Sequence, residues 1–124
     1  MKFYIAGCNQ QTAIALSNEL KSLGHDIICT WLTTPFKRTL EHSIEERVAI
    51  AKLDAEEVTM ADAVVLLESP ERIPGGKFVE AGIAIGQGKM VFNIGRRENM
   101  LMWHPQVWQC DSVEVLISKL KEEK

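Results

Sequence analysis

AVVLLESPERIPGGKFVEAGIAIGQGKMVFNI, residues 63–94, decides the fold. Residues 63–67 form a short, unbroken apolar run, as expected of a central parallel strand buried on both faces. Residues 68–77 hold two prolines and the pair Gly75 and Gly76, so they read as a loop. Residues 78–87 read as a helix that Gly88 ends, and 90–94 are the next buried strand. Strand, helix and strand in this order are the unit that joins parallel neighbours by a crossover.

The same alternation extends outward. Residues 2–6 read as a first strand stopped by Gly7. Residues 11–23 place Ala13, Ile14, Leu16, Leu20 and Leu23 at helical spacing, and Gly24 is a helix stop. A second strand is expected over 25–32, through Ile27, Ile28, Trp31 and Leu32, followed by a polar loop over 33–40 with Pro35. Residues 44–60 predict a long helix with an apolar stripe of Val48, Ile50, Ala51, Leu53, Ala55 and Val58. An irregular connector over 95–105 leads to a short last strand at 107–109, and Asp111 is placed to cap a closing helix over 113–120. Five strands alternating with helices predict an α/β fold, a five-stranded parallel sheet with helices on both faces and right-handed crossovers. Ligands of such sheets sit outside the carboxyl ends of the strands, here the loops after Ala6, Leu32, Leu67 and Ile94.

The chain has 124 residues, which suits a single domain over 1–124. With 46% hydrophobic and 25% charged residues it has the balance of an ordinary globular protein. A formal net charge of -3 argues against a general nucleic-acid binder. Three cysteines without regular spacing make no disulfide framework, and no apolar run reaches membrane-spanning length, so a cytoplasmic protein is expected.

Glu80 is the only acid of the 78–87 helix. With a helix start near Gly76 it falls in the first turn, where the helix dipole favours an ionised carboxylate able to attack an electrophilic carbon. The plainer reading is that it only complements that dipole. Ala81, Gly82, Ala84 and Gly86 are expected to let the helix lie close to the sheet. Gly75 and Gly76 offer backbone amides to a ligand, or simply a flexible loop. Neither GxxxxGK[ST] nor a GxGxxG after the first strand is present, so a dinucleotide cofactor has little support. Asp62 is expected to cap or end the long helix, while Asp54 reads as a surface residue or an acid aimed at the pocket. The three histidines have no metal-ligand spacing, and no metal is expected. Cys8 sits in the first strand–helix loop, where a packed thiol is a commoner role than a nucleophile. Trp103, His104 and Trp108 crowd one connector and either pack an edge, stack on a base or meet another subunit. Arg96 and Arg97 follow the fourth strand and either meet a phosphate or solvate a loop.

KFYIAG (2–7), LDAEEVTMADAVVLL (53–67), GGKFVEAGIAIGQGKMVFNIG (75–95) and RENMLMW (97–103), taken in order, resemble the nucleoside 2-deoxyribosyltransferase family. The resemblance implies a flavodoxin-like or Rossmann-like three-layer sandwich, and homo-oligomers whose active sites a neighbouring subunit completes. It implies Glu80 as nucleophile, with Gly82, Ala84, Gly88 and Lys89 around it. Asp54 matches the acid serving the base, Tyr4 the tyrosine beside the nucleophile, and Asn99 an asparagine that reaches the adjacent subunit's sugar. Gly7, Cys8, Glu68, Gly75, Gly76 and Gly82 are the expected substrate-lining positions. The implied reaction cleaves or transfers the N-glycosidic bond of a 2′-deoxynucleoside, with no cofactor. The partner is a small nucleoside or nucleotide, with no nucleic acid and no membrane. Related deoxynucleoside 5′-monophosphate N-hydrolases share the glutamate and aspartate. The loop GCNQQT offers Thr12 but no basic residue, which tilts the reading toward a nucleoside. Pro74 stands where full transferases carry an aspartate. The alternatives of another class are a non-catalytic nucleoside-binding module and a flavodoxin-like redox carrier.

Overall fold

The computed structural model describes residues 1–35, 39–68 and 75–122. The elements run β1 (Lys2–Ala6), α1 (Gln10–Ser22), β2 (Asp26–Ile27), α2 (Ile44–Met60), β3 (Ala63–Leu66), α3 (Gly76–Gly86), β4 (Met90–Ile94), β5 (Val107–Cys110) and α4 (Val113–Glu122). The strands form one parallel sheet in the order β2-β1-β3-β4-β5. This is the flavodoxin-like order, whose reversal lies between β1 and β3. Helix α2 packs beside α3 and α1 beside α4, giving the two outer layers of a three-layer α/β sandwich.

The apolar runs explain the sheet. Residues 3–6 of β1 and all of β3 are buried, because central strands are covered on both faces. Tyr4 pairs with Val64 and Ala6 with Leu66, so both carboxyl ends finish side by side at the reversal. Asp62 does not cap α2, which Ala61 ends. Its carboxylate instead accepts from Lys2 N at 2.8 Å and its own amide donates to Lys2 O at 2.7 Å, pinning the start of β1.

Four further expectations are corrected. The second strand is short: Asp26 and Ile27 pair with β1, and the chain then coils into a 3₁₀ turn at Thr30–Thr33. An edge strand has one neighbour, and here the side chain of Glu57 captures the Thr30 amide that would otherwise extend the strand. The stripe on α2 is largely outward: Val48, Ile50 and Leu53 are exposed, and Glu57 and Val58 near its end are the buried residues. In α3 it is Ala81 and Ala84 that press on the sheet, whereas Gly82 and Gly86 face outward with open space beside them. Ser112 caps α4 through Val115 N, in place of Asp111. The boundaries of β1, α2 and β4 stand as read.

Leu66 is fully buried in the central strand. Leu66→Ala should lower unfolding stability by about 2–5 kcal/mol with an unchanged denaturant slope, measured by urea denaturation.

Candidate active site

Tyr4, on the central strand β1, and Glu80, on α3, meet at the carboxyl edge of the sheet. The Tyr4 hydroxyl donates to Glu80 Oε2. The meeting follows from spacing: Lys77, Ala81 and Ala84 form the buried stripe of α3, and Glu80 flanks it, half-buried. Tyr4 is buried in the core with only its hydroxyl end facing the acid.

Glu80 is the fifth residue of α3, which has no acid in its first turn. The dipole effect fades beyond that turn, so the expected first-turn placement, with its dipole support, is corrected. Burial instead raises the Glu80 pKa to about 7; the Tyr4 hydrogen bond opposes the rise, and the charges of Asp54 and Glu57 add to it. Burial, then the Glu80 charge, push the Tyr4 phenol above its ordinary range, so it stays a donor.

Asp54 is half-buried, and of its two readings the structure favours the inward one. Its carboxyl is raised above the ordinary value by burial and then by Glu57, and it lines a hollow of about 220 Å³ between α2 and the residues after β2. Glu57, three residues along the same helix face, escaped the sequence reading. It is buried and accepts from Thr30 N at 3.1 Å and Thr30 Oγ1 at 2.7 Å. Its signal was an acid at i+3 from Asp54 in an otherwise mixed helix. Trp31, expected in a strand, lines the hollow too, its indole Nε1 donating to Ile5 O at 2.8 Å.

The remaining candidates divide. Gly7 packs tightly: an added Cβ would stand 3.2 Å from Leu67 Cβ. Cys8 is exposed. The Glu68 carboxylate accepts from Arg96 N at 2.7 Å and lies against Gly95, whose φ of +81° requires glycine. Gly75, with φ of +92°, precedes α3 at its N-cap, and Gly76 opens the helix. Gly82 faces away from the sheet, so the fold does not bring it to Glu80's buried side. Asn99 Oδ1 accepts from Leu101 N at 2.9 Å, capping the 3₁₀ turn Met100–Trp103. The Arg97 guanidinium stacks 3.9 Å from the Trp103 ring centre. The buried Lys77 Nζ donates to Leu67 O at 2.6 Å and to the Glu98 carboxylate, tying the start of α3 to the loop after β4. Pro74 lies outside the described residues. Among the described residues no cluster of three His, Cys, Asp or Glu is placed to hold a metal, and no helix is long and apolar enough to cross a membrane.

No family model and no curated protein matches this chain. Solved structures do match in fold. A 2-deoxyribosyltransferase from Bacillus psychrosaccharolyticus superposes with a TM-score of 0.72 at 20% identity, covering 94% of this chain and 90% of its own. The CMP N-glycosidase of Clostridium botulinum gives 0.65 at 15% identity, covering 98% and 99%. DNA processing protein A of Helicobacter pylori, which binds single-stranded DNA, gives 0.66 at 16% identity, covering 99% and 81%. At these identities the likeness is one of fold, which nucleoside- and nucleotide-processing enzymes share with a DNA-binding protein.

The raised Glu80 has a pH consequence. Between the ordinary value of 4.5 and about 7 the folded state holds a proton that the unfolded state has lost. Stability therefore falls as pH rises through that window and is flat above it. Glu80→Gln should remove this slope and stabilise the fold at pH 8 by on the order of 1–3 kcal/mol, a gain that disappears near pH 4, by thermal unfolding across pH. Tyr4→Phe should raise the Glu80 pKa further, followed by carbon NMR of the carboxyl group.

Proposed function

We propose that the protein cleaves or transfers the N-glycosidic bond of a 2′-deoxynucleoside, with Glu80 as nucleophile, Asp54 as acid–base and Tyr4 as the group that holds Glu80. The observation that carries this reading is the half-buried Glu80 bonded by the Tyr4 hydroxyl, with its pKa brought to about 7 while Asp54 stands close enough to act on it. The likeness in fold to a 2-deoxyribosyltransferase and to a CMP N-glycosidase is in keeping with it.

The ionised Glu80 attacks the anomeric carbon. The bond from that carbon to the base nitrogen breaks, its electron pair stays on the base, and Asp54 gives the base a proton. Water, or a second base, then attacks the same carbon, and Asp54 takes the incoming proton as Glu80 leaves. This is the two-carboxylate logic of retaining glycosidases. Burial suits both roles: it keeps a proton on Asp54 to higher pH and keeps water from shielding Glu80. Tyr4 stabilises the carboxylate and fixes its direction.

The site is also read as shared between copies of the chain. Met100, Leu101 and Trp103, directly after Asn99, are exposed on one turn, and clustered exposed apolar residues mark contact surfaces. A neighbour's Asn99 then reaches the sugar. Light scattering should show an oligomer, and Asn99→Ala should raise KM for the deoxynucleoside more than it lowers Tm.

Free base should appear when the folded protein is incubated with deoxynucleosides, read by chromatography. Glu80→Gln should abolish it, a loss of at least about 10³-fold. For the unaltered protein kcat/KM should be bell-shaped in pH, with limbs that belong to the Asp54 and Glu80 pair and one of them near 7. Binding of an intact deoxynucleoside without turnover, unaffected by Glu80→Gln, would select a binding module instead.

A further inference from the structure

The hollow beside Asp54 has a volume of about 220 Å³. That is below the roughly 300–1,000 Å³ that enclose whole drug-sized ligands, and it suits a planar ring system more than an entire nucleoside. Its apolar lining residues are Trp31, Pro35, Ile50 and Leu53. Because the indole N–H is engaged by Ile5 O, what Trp31 offers a ligand is ring carbon.

The polar groups of the same hollow are unusually one-sided. Gln10 Nε2 donates to Trp31 O at 2.8 Å, to Leu32 O at 3.2 Å and to Thr34 O at 2.7 Å. Thr30 Oγ1 donates to Glu57 at 2.7 Å, and Thr34 Oγ1 donates to Thr30 O at 3.0 Å. A hydroxyl has one proton to give and two lone pairs to receive with, and a glutamine amide carries its acceptor on a separate oxygen. Every donor on these three side chains is thus directed at the protein itself, while their oxygen lone pairs remain. The Asp54 carboxyl adds one more acceptor oxygen, its other oxygen carrying the proton that the proposed reaction delivers to the base. His42, on the same wall, has an Nδ1 with no hydrogen-bond partner, and Glu46 Oε2 lies 3.9 Å from it.

We propose that this hollow receives the nucleobase and selects amino-bearing bases, adenine and cytosine, over their keto counterparts, hypoxanthine and uracil. An exocyclic amino group brings two N–H donors to a wall of acceptor oxygens, whereas a keto oxygen in the same place meets oxygen lone pairs. The inference rests on the glycosidic reading of the site, since it places the sugar toward Glu80 and the base toward Asp54. It adds Trp31 as the apolar platform and Gln10, Thr30 and Thr34 as specificity-determining residues.

The test is binding of free bases, which needs no turnover. A Trp103→Phe, Trp108→Phe double variant leaves Trp31 as the sole tryptophan, so its fluorescence reports occupancy of the hollow; calorimetry on the unsubstituted protein supplies the same affinities should that variant fold poorly. Adenine and cytosine should quench Trp31 and bind at least about tenfold tighter than hypoxanthine and uracil; 2-deoxyribose should not quench. Equal or tighter binding of the keto bases, or no binding of any base, overturns the proposal. The two readings fail separately. Selective base binding with no cleavage of any deoxynucleoside defeats the enzyme reading and leaves the pocket standing. Cleavage of deoxyadenosine and deoxyinosine with equal kcat/KM defeats the pocket and leaves the enzyme.

Discussion

A carboxylate withdrawn from water against a phenol is the contact on which the site depends. Burial pushes the Glu80 pKa up, and a nucleophilic role such as the one proposed requires the ionised form. The Tyr4 hydroxyl restores part of the lost stabilisation, which limits the rise to about 7. The phenol can do this because it comes from the middle of the sheet. Tyr4 is fixed by pairing with Val64 on one side and by the packing of α3 on the other, and it has little freedom to turn away. Ala81 and Ala84 let α3 approach closely enough for the bond to form. Lys77, buried and bonded to Leu67 O and Glu98, holds the start of the helix against the loops at the carboxyl edge.

The second acid is set by a different device. Asp54 and Glu57 lie on one face of α2, but their environments separate their duties. Glu57 is saturated by the Thr30 amide and hydroxyl and serves as a fixed anchor for the turn after β2. Asp54, one turn earlier, lines the hollow, its pKa raised by burial and then by the Glu57 charge. The anchor therefore acts twice: it shapes the wall that Trp31 occupies, and its charge adds to the rise of the Asp54 pKa. Gln10 completes the wall from the opposite side by tying residues 31–34 to the start of α1.

How much of this was legible follows from the kind of interaction involved. The unbroken apolar run at 63–67, and 90–94 with only Asn93 polar, read as strands covered on both faces, so the layer count and parallel direction were readable. Glu80 stood out as the single acid in a helix of small and apolar residues. Its state was not readable, because one residue's displacement from the first turn replaces a dipole argument with a desolvation argument of opposite sign. Asp54 was ambiguous on sequence, since a helix with Val48, Ile50 and Leu53 gives no unique inner face when most of that stripe faces outward. Glycines misled in α3: Gly82 and Gly86 looked like close-approach positions, yet the alanines carry that role. The edge strand was overcalled because a run such as Ile27 to Leu32 carries strand propensity without stating that Glu57, far along the chain, intercepts its backbone.

The sequence by itself determined the alternation of strands and helices, the burial of the central strands and the presence of a lone acid beside paired glycines, because these depend on periodicity and on the conformational limits of single residues. The tertiary structure decided the strand order, the upward shift of the Glu80 and Asp54 carboxyls, the anchoring of the 30–34 segment and the hydrogen bonds that occupy the donors of Gln10, Thr30 and Thr34. Those depend on distances between groups from separate elements and on the water excluded between them, and neither is written in local pattern.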